Sequence, residues 1–329
     1  MLVLSRSDIL SVFSMRDAIE ADKKAFVLHS QGKCRVPLRI NFDAADEKGQ
    51  YLFMPAYAGG IDRAGIKIVS VFPGNAAKGR PSVPATVVLL DNETGEVAAL
   101  IEGTTLTQLR TAAIAGVATE LLARPDSSVG ALFGTGGQAS AQLEAILTVR
   151  SLKEVRVFDI SPERVEAFIK ANEALAGKFG ARLSAAPSSD GAVDGADVIT
   201  AVTTATKPVF DGTKVKAGAH VNGIGAYTPA MQELPPEVIE RAGRVFADNG
   251  EAVLAEAGDL IKPMKEGRFG AGIIAGELGQ LLLGEIEGRR SAEEITVMKT
   301  VGFASLDVVT AYEIVEKALA AGVGKTIDL

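Results

Sequence analysis

The run Gly134-Thr135-Gly136-Gly137-Gln138-Ala139, with Asp159 downstream, is where residue type and spacing point most directly to chemistry. Gly134 permits a tight turn, Gly136 lets the backbone approach a pyrophosphate, and Ala139 takes the third small position, where a helix packs closely on a strand. A helix opening at such a turn offers backbone N–H groups and its positive dipole end to phosphate. Asp159 lies 25 residues after Gly134, close to the ~20 usual for the acid that accepts hydrogen bonds from an adenosine ribose. Its charge would repel a 2′-phosphate, so NAD(H) is the preferred cofactor, while nearby Arg164 leaves NADP(H) possible. The competing reading is a glycine turn that merely joins strand to helix, with Asp159 a loop residue.

The elements that must position this turn read clearly. An apolar strand Val129–Phe133 precedes it and an amphipathic helix from Gln138 to Val149 follows. Strand Val155–Phe158 ends at Asp159, and Ser161-Pro162-Glu163 opens the next helix with an N-cap and an N1 proline. Further strands are expected at Arg182–Ala185, Val198–Ala201, His220–Ile224, Val245–Ala247 and Ile295–Lys299. Such alternation predicts a Rossmann-type, doubly wound parallel sheet with helices on both faces. Before it, short apolar runs predict strands at Val36–Asn41, Tyr51–Pro55, Gly65–Val71, Ala85–Leu90 and Val97–Ile101, the last two joined by a turn over Asn92–Gly95. Helices are expected from a Ser7/Asp8 cap to Phe13, over Met15–Gln31, over Leu106–Leu122, and over Ser305–Ala321. The fold class is therefore α/β, with a strand-rich α+β domain (1–118 with 305–329) beside a dinucleotide-binding domain (119–304).

Composition narrows the function classes. In 329 residues, 47% are hydrophobic and 23% charged, the balance of a globular protein with core enough for about two domains. The net charge of −7 and the lack of a Lys/Arg block argue against nucleic acid as a partner. One cysteine, Cys34, excludes an intrachain disulfide and fits a reducing compartment, so a cytoplasmic location is expected. With only His29 and His220 beside it, no metal site is expected. No apolar run reaches the ~18 residues of a membrane helix, and the N-terminus lacks the pattern of a secretory signal.

At this point the chain resembles the ornithine cyclodeaminase/μ-crystallin family. The resemblance rests on Pro37-Leu38-Arg39, Phe53-Met54-Pro55, Gly65-Ile66-Lys67, Pro84 with Asp91 to Gly95, Leu109-Arg110-Thr111-Ala112-Ala113, the glycine turn, Val221 to Gly225, and Lys299 to Ala304. It implies a homodimer whose strand-rich domain makes the subunit interface and binds the substrate, a small α-imino or α-amino acid. It also implies that Arg39, Lys67 and Arg110 are the carboxylate-binding and catalytic basic residues, with Arg110 also facing the cofactor. Asp159 matches the ribose position of members that use NAD, and Thr203 and Gly225 join the candidate cofactor contacts. Members include ornithine and lysine cyclodeaminases, an alanine dehydrogenase, reductases of cyclic ketimines, and NADPH-binding crystallins.

The residues themselves support that assignment. Arg39, Lys67 and Arg110 sit in apolar contexts (LRI, GIKIV, QLRTAA) where an unpaired cation is costly. Arginines can fork onto a carboxylate, and a lysine crowded by two cations should have its pKa lowered toward neutrality, where it exchanges the imine proton. The plainer alternative is three snorkelling side chains at strand ends. Two departures matter. The cyclodeaminases place an aspartate where this chain has Tyr227, and a glutamate where it has Leu52. Both carboxylates serve an ornithine side chain, so their loss favours reduction of a preformed imine. Tyr227 either donates to the imine side or only shapes the pocket. Glu256 and Asp259 are expected on the solvated surface, Asp307 as a cap of the last helix with a catalytic role as the alternative, and His220 as a packing residue.

The expected function is thus an NAD(P)H-dependent reductase of small α-imino acids, of the Δ1-pyrroline-2-carboxylate type, or an amino-acid dehydrogenase in reverse. The alternatives are an ornithine cyclodeaminase and a crystallin-like dinucleotide-binding protein without turnover.

Overall fold

The computed structural model describes residues 1–328. The chain forms two compact units, Met1–Arg110 with Phe303 to the C-terminus, and Thr111–Gly302.

The first unit is built on a mixed sheet. Its strands are β1 (Leu2–Leu4), β2 (Cys34–Arg35), β3 (Ile40–Asp43), β4 (Gln50–Ala58), β5 (Arg63–Val71), β6 (Ala85–Leu90), β7 (Val97–Glu102) and the C-terminal strand Lys325–Thr326. From one edge the order is Lys325–Thr326, β1, β7, β6, β5, β4, β2, with β3 also pairing β4. Only β1 and β7 run parallel. The period of two decides the two faces. Leu52, Met54 and Ala56 of β4 and Val69 of β5 are buried, and Lys67 shares their phase, opposite Met54 on one side and Val87 on the other. The other face carries Ile40, Phe42, Tyr51 and Ile68, all exposed, in register through Ile40–Phe53–Ile68 and Phe42–Tyr51. The helix Ala304–Ala321 packs on β4 and β5 through a largely apolar buried face.

Helices α1 (Arg6–Val12) and α2 (Met15–Ser30) each open on a capping box, Ser5 with Asp8 and Ser14 with Asp17. The first cap is therefore Ser5, not Ser7. The strand expected over Val36–Asn41 does not form as one piece: β2 stops at Arg35 and pairing resumes at Ile40. Pro37 lies in the gap, and proline cannot donate to a ladder. Helix α3 (Gly103–Leu122) begins earlier than its apolar period suggests, because the Glu102 carboxylate accepts the N–H groups of Thr104 and Thr105.

The second unit holds an all-parallel sheet of β8 (Val129–Phe133), β9 (Glu154–Phe158), β10 (Arg182–Ala185), β11 (Val198–Ala201), β12 (His220–Gly223), β13 (Val245–Ala247), β14 (Ile274–Glu277) and β15 (Thr296–Lys299). The order is β10-β9-β8-β11-β12-β15-β13-β14. Alternate residues of β8 serve opposite cores: Leu132 packs with Leu143, Val157 and Phe168, while Ala131 and Phe133 pack with Ile199, Val221 and Leu234. Burial on both faces is what makes these strands continuous apolar runs. Strand order reverses between β8 and β11, so the carboxyl ends of this pair form the switch point at which such sheets take ligands. The short edge strand β14 carries Gly276 and has no sequence signal of its own.

Candidate active site

In the first unit the sequence has brought Lys67 and Arg110 onto one carboxylate. Lys67 Nζ donates to Asp307 Oδ1 at 2.8 Å and is 2.8 Å from Oδ2, while Arg110 Nε donates to Oδ1 at 2.8 Å. Asp307 is fully buried, and Lys67 and Arg110 are only 1% and 6% exposed. Asp307 stands in the first turn of Ala304–Ala321, but the helix has no side-chain cap there. Its expected capping role is therefore replaced by ion pairing with two buried cations.

Burial, followed by the charge of Arg110, lowers the pKa of Lys67 from 10.5 to about 7; Asp307 opposes the shift and Arg39 adds to it. The direction expected from crowding is correct, but desolvation is its leading cause. Arg39, itself half-buried, lies between β2 and β3, close enough for its charge to act on Lys67. The three cations thus gather within one unit.

In the second unit the glycine turn joins β8 to α4 (Ala139–Val149). Gly134 takes a left-handed φ of 95°, and a Cβ there would meet the Val202 carbonyl at 2.7 Å. At Gly136 and Gly137 a Cβ would meet nothing within 4 Å, so the backbone fronts open space. The buried Gln138 Oε1 has no hydrogen-bond partner. An approachable backbone beside a helix start fits a dinucleotide pyrophosphate. Asp159 Oδ2 accepts the N–H and hydroxyl of Thr135, and Oδ1 accepts the Ser161 N–H. Burial opposes its ionisation, but these donors outweigh that cost and hold the carboxyl below its usual range. Arg164 lies 3.9 Å from Oδ2 and is mostly exposed.

Thr203 and Gly225 follow β11 and β12 on the same carboxyl edge. They meet each other closely: a Cβ on Gly225 would lie 2.0 Å from the Thr203 carbonyl oxygen, so only glycine fits. Tyr227, in the loop after β12, packs partly buried against the apolar core of this unit. Asp259 is not on the surface. It is fully buried, 2.9 Å from Lys299 Nζ, and accepts the N–H groups of Glu233 and Leu234. Neither Glu233 nor Lys299 was a candidate from residue type, although a lysine ending an apolar strand carries the same cost signal as Lys67. His220 bonds Thr296 and Asn222 within the sheet, and burial lowers its pKa to about 3, so it stays neutral. Among the described residues no cluster of three or more His, Cys, Asp or Glu is placed to hold a metal.

A Δ(1)-pyrroline-2-carboxylate reductase of Bacillus thuringiensis subsp. konkukian is 39% identical over 328 residues, covering 100% of both chains. The structure of the Thermococcus litoralis Δ(1)-pyrroline-2-carboxylate reductase, in complex with NADH and L-proline, superposes with a TM-score of 0.94 at 39% identity, covering 99% of this chain and 100% of that one. An archaeal alanine dehydrogenase dimer with bound NAD gives 0.91 at 34% identity, covering 100% and 99%. Residues 1–322 match the sequence profile of one family. The chain belongs to the ornithine cyclodeaminase/mu-crystallin family.

Proposed function

We propose that the protein is an NAD(H)-dependent oxidoreductase that reduces small cyclic α-imino acids, foremost Δ1-pyrroline-2-carboxylate to L-proline. The observation that carries this reading is the buried surplus of positive charge in the first unit, where, among the described residues, Asp307 is the carboxylate that faces both Lys67 and Arg110. A substrate carboxylate supplies the missing negative charge. Asp307 engages Arg110 at Nε, and the Nη pair is the fork that would hold that carboxylate, with Arg39 as its second partner. Lys67, with a pKa of about 7, is the group that gives the imine nitrogen its proton. When bound, NADH supplies the hydride for the C=N carbon. The turn Gly134–Ala139 and the start of α4 would hold its pyrophosphate, Asp159 its adenosine ribose, and Thr203 and Gly225 its nicotinamide half; NADP(H) is the second cofactor. Tyr227 is assigned to shaping the pocket.

The absent carboxylates support reduction over cyclodeamination. Leu52 is a buried core residue, and neither it nor Tyr227 supplies a carboxylate to activate an ornithine amine. The similarity to reductases, one of them holding NADH and L-proline, agrees with this choice. The chain is also proposed to be a homodimer through the apolar face that carries Ile40, Phe42, Tyr51 and Ile68, each at least 42% exposed. The decisive assay mixes purified protein, NADH and Δ1-pyrroline-2-carboxylate, with ornithine and alanine as parallel substrates. Oxidation of NADH with formation of proline is expected. No turnover with cyclic imines, or proline and ammonia from ornithine without net NADH change, would overturn the reading.

A further inference from the structure

The second unit contains a buried charged cluster that the proposed reduction does not use. Glu233, Asp259 and Lys299 are each 0% exposed. Lys299 Nζ lies 2.9 Å from Asp259 Oδ2 and 4.0 Å from Glu233 Oε1, so two carboxylates share one ammonium. A buried carboxylate in excess survives only where hydrogen bonds answer it.

Those hydrogen bonds come from the carboxyl edge of the sheet. Glu233 Oε2 accepts the N–H of Thr203 at 2.8 Å and its hydroxyl at 2.9 Å. Oε1 accepts the N–H of Gly225 at 2.5 Å and of Ala226 at 3.3 Å. One side chain therefore ties the loop after β11 to the loop after β12. Asp259 fixes the segment bearing Glu233 by accepting its N–H, and Lys299 also donates to the Gly223 carbonyl, completing the bridge from beneath. The tie reaches the phosphate turn as well, because a Cβ on Gly134 would touch Thr203 Cγ2 at 3.0 Å.

We propose that Glu233 is a positioning residue of the dinucleotide site, its ionised carboxylate holding Thr203 against Gly225 so that the rim for the nicotinamide half is formed before the cofactor arrives. The proposal rests on the dinucleotide-dependent reduction proposed above. An amide or a protonated acid cannot serve four donors equally, since one of its two polar atoms becomes a donor itself. The charged groups facing Glu233 are Lys299 from β15 and Asp259 from the helix Gly258–Lys265. Burial raises its pKa to about 7, Lys299 opposes that shift and Asp259 adds to it, so the tie loosens as pH falls through neutrality.

The test uses the full chain and the variant Glu233→Gln, with NADH affinity measured by isothermal titration calorimetry and unfolding followed in parallel. At pH 8 the variant should bind NADH about tenfold more weakly, the equivalent of ~1.4 kcal/mol. Its KM for the imine should change by less than about twofold, since bonds to the substrate carboxylate are unaffected. Wild-type affinity should fall about threefold or more between pH 8 and pH 6, and the variant should be weak and flat over that range. Should Glu233→Gln not fold, Thr203→Val removes one of the four donors and is expected to weaken NADH binding by about threefold. A variant that melts earlier yet binds NADH with unchanged affinity and unchanged pH dependence would overturn the proposal. Wild-type protein that binds no dinucleotide would sink the proposed reduction itself, and the role of Glu233 with it.

Discussion

The two units bury ionic clusters of opposite imbalance. In the first, Lys67 and Arg110 share Asp307; in the second, Glu233 and Asp259 share Lys299. The excess carboxylate of the second is consumed internally by the N–H groups of Thr203, Gly225, Ala226 and Leu234. Lys299 is answered by a backbone carbonyl as well, that of Gly223, whereas Lys67 and Arg110 converge on Asp307. The surplus cation of the first unit is therefore the one that a ligand must answer. An anion-poor cluster reads as a receptor, and an anion-rich one as a scaffold.

The largest effect that would sharpen this contrast is at Lys67. Lys67→Met should lower turnover about 10³-fold, within the range for loss of a general acid. NADH affinity measured by calorimetry should stay within about twofold, because the proposed cofactor cradle is built from residues of the second unit. A fall in affinity equal to the fall in turnover would break the contrast. Next is Asp307→Asn, which leaves two buried cations without their counter-charge and should cost roughly 3–5 kcal/mol in denaturant unfolding. Loss of under about 0.5 kcal/mol would mean the pair is not held as described.

A third prediction concerns pH. In the proposed reduction protonated Lys67 is the active form, so kcat/KM should fall about tenfold per unit as pH climbs above about 7. The stability sign is opposite to that of a lysine that gains a partner. Between about 7 and 10.5 the unfolded chain carries a proton that folded Lys67 lacks, so this group makes stability rise with pH across that window. A flat reductive profile from pH 6 to pH 9 would remove Lys67 from the proton step. The smallest effect is at Asp159. Asp159→Ala removes the charge proposed to face the ribose and the acceptor for Thr135, and should narrow the NAD over NADP preference by about fivefold. An unchanged ratio of kcat/KM values would take Asp159 out of the ribose contact.

Much of the parallel-sheet unit was legible in the sequence. Runs such as Val129–Phe133 and Val198–Ala201 are buried on both faces and punctuated by glycine or a capped helix, which leaves a strong local signal. The phase of Lys67 was not legible: alternation in Gly65-Ile66-Lys67-Ile68-Val69 would as readily turn Ile66 and Ile68 inward, yet the fold buries Lys67 with Gly65 and Val69. The place of Asp159 at the end of its strand, beside the turn, was legible because its distance from Gly134 is set by one strand–helix–strand unit. The break at Pro37 and the early start of α3 were missed, because each turns on a single proline or cap and not on a period.

What the sequence by itself determined was where the doubly buried parallel strands run and where the backbone after β8 is left open to approach, since both follow from apolar runs and from glycine's missing side chain. Only the tertiary structure decided that Asp307 meets Lys67 across 240 positions, or that Asp259 and Glu233 lie in the interior instead of on the surface. A carboxylate in an exposed turn and one beneath an ammonium have the same neighbours along the chain. Their difference lies in which distant cation the fold brings within 3 Å, and no local pattern encodes that.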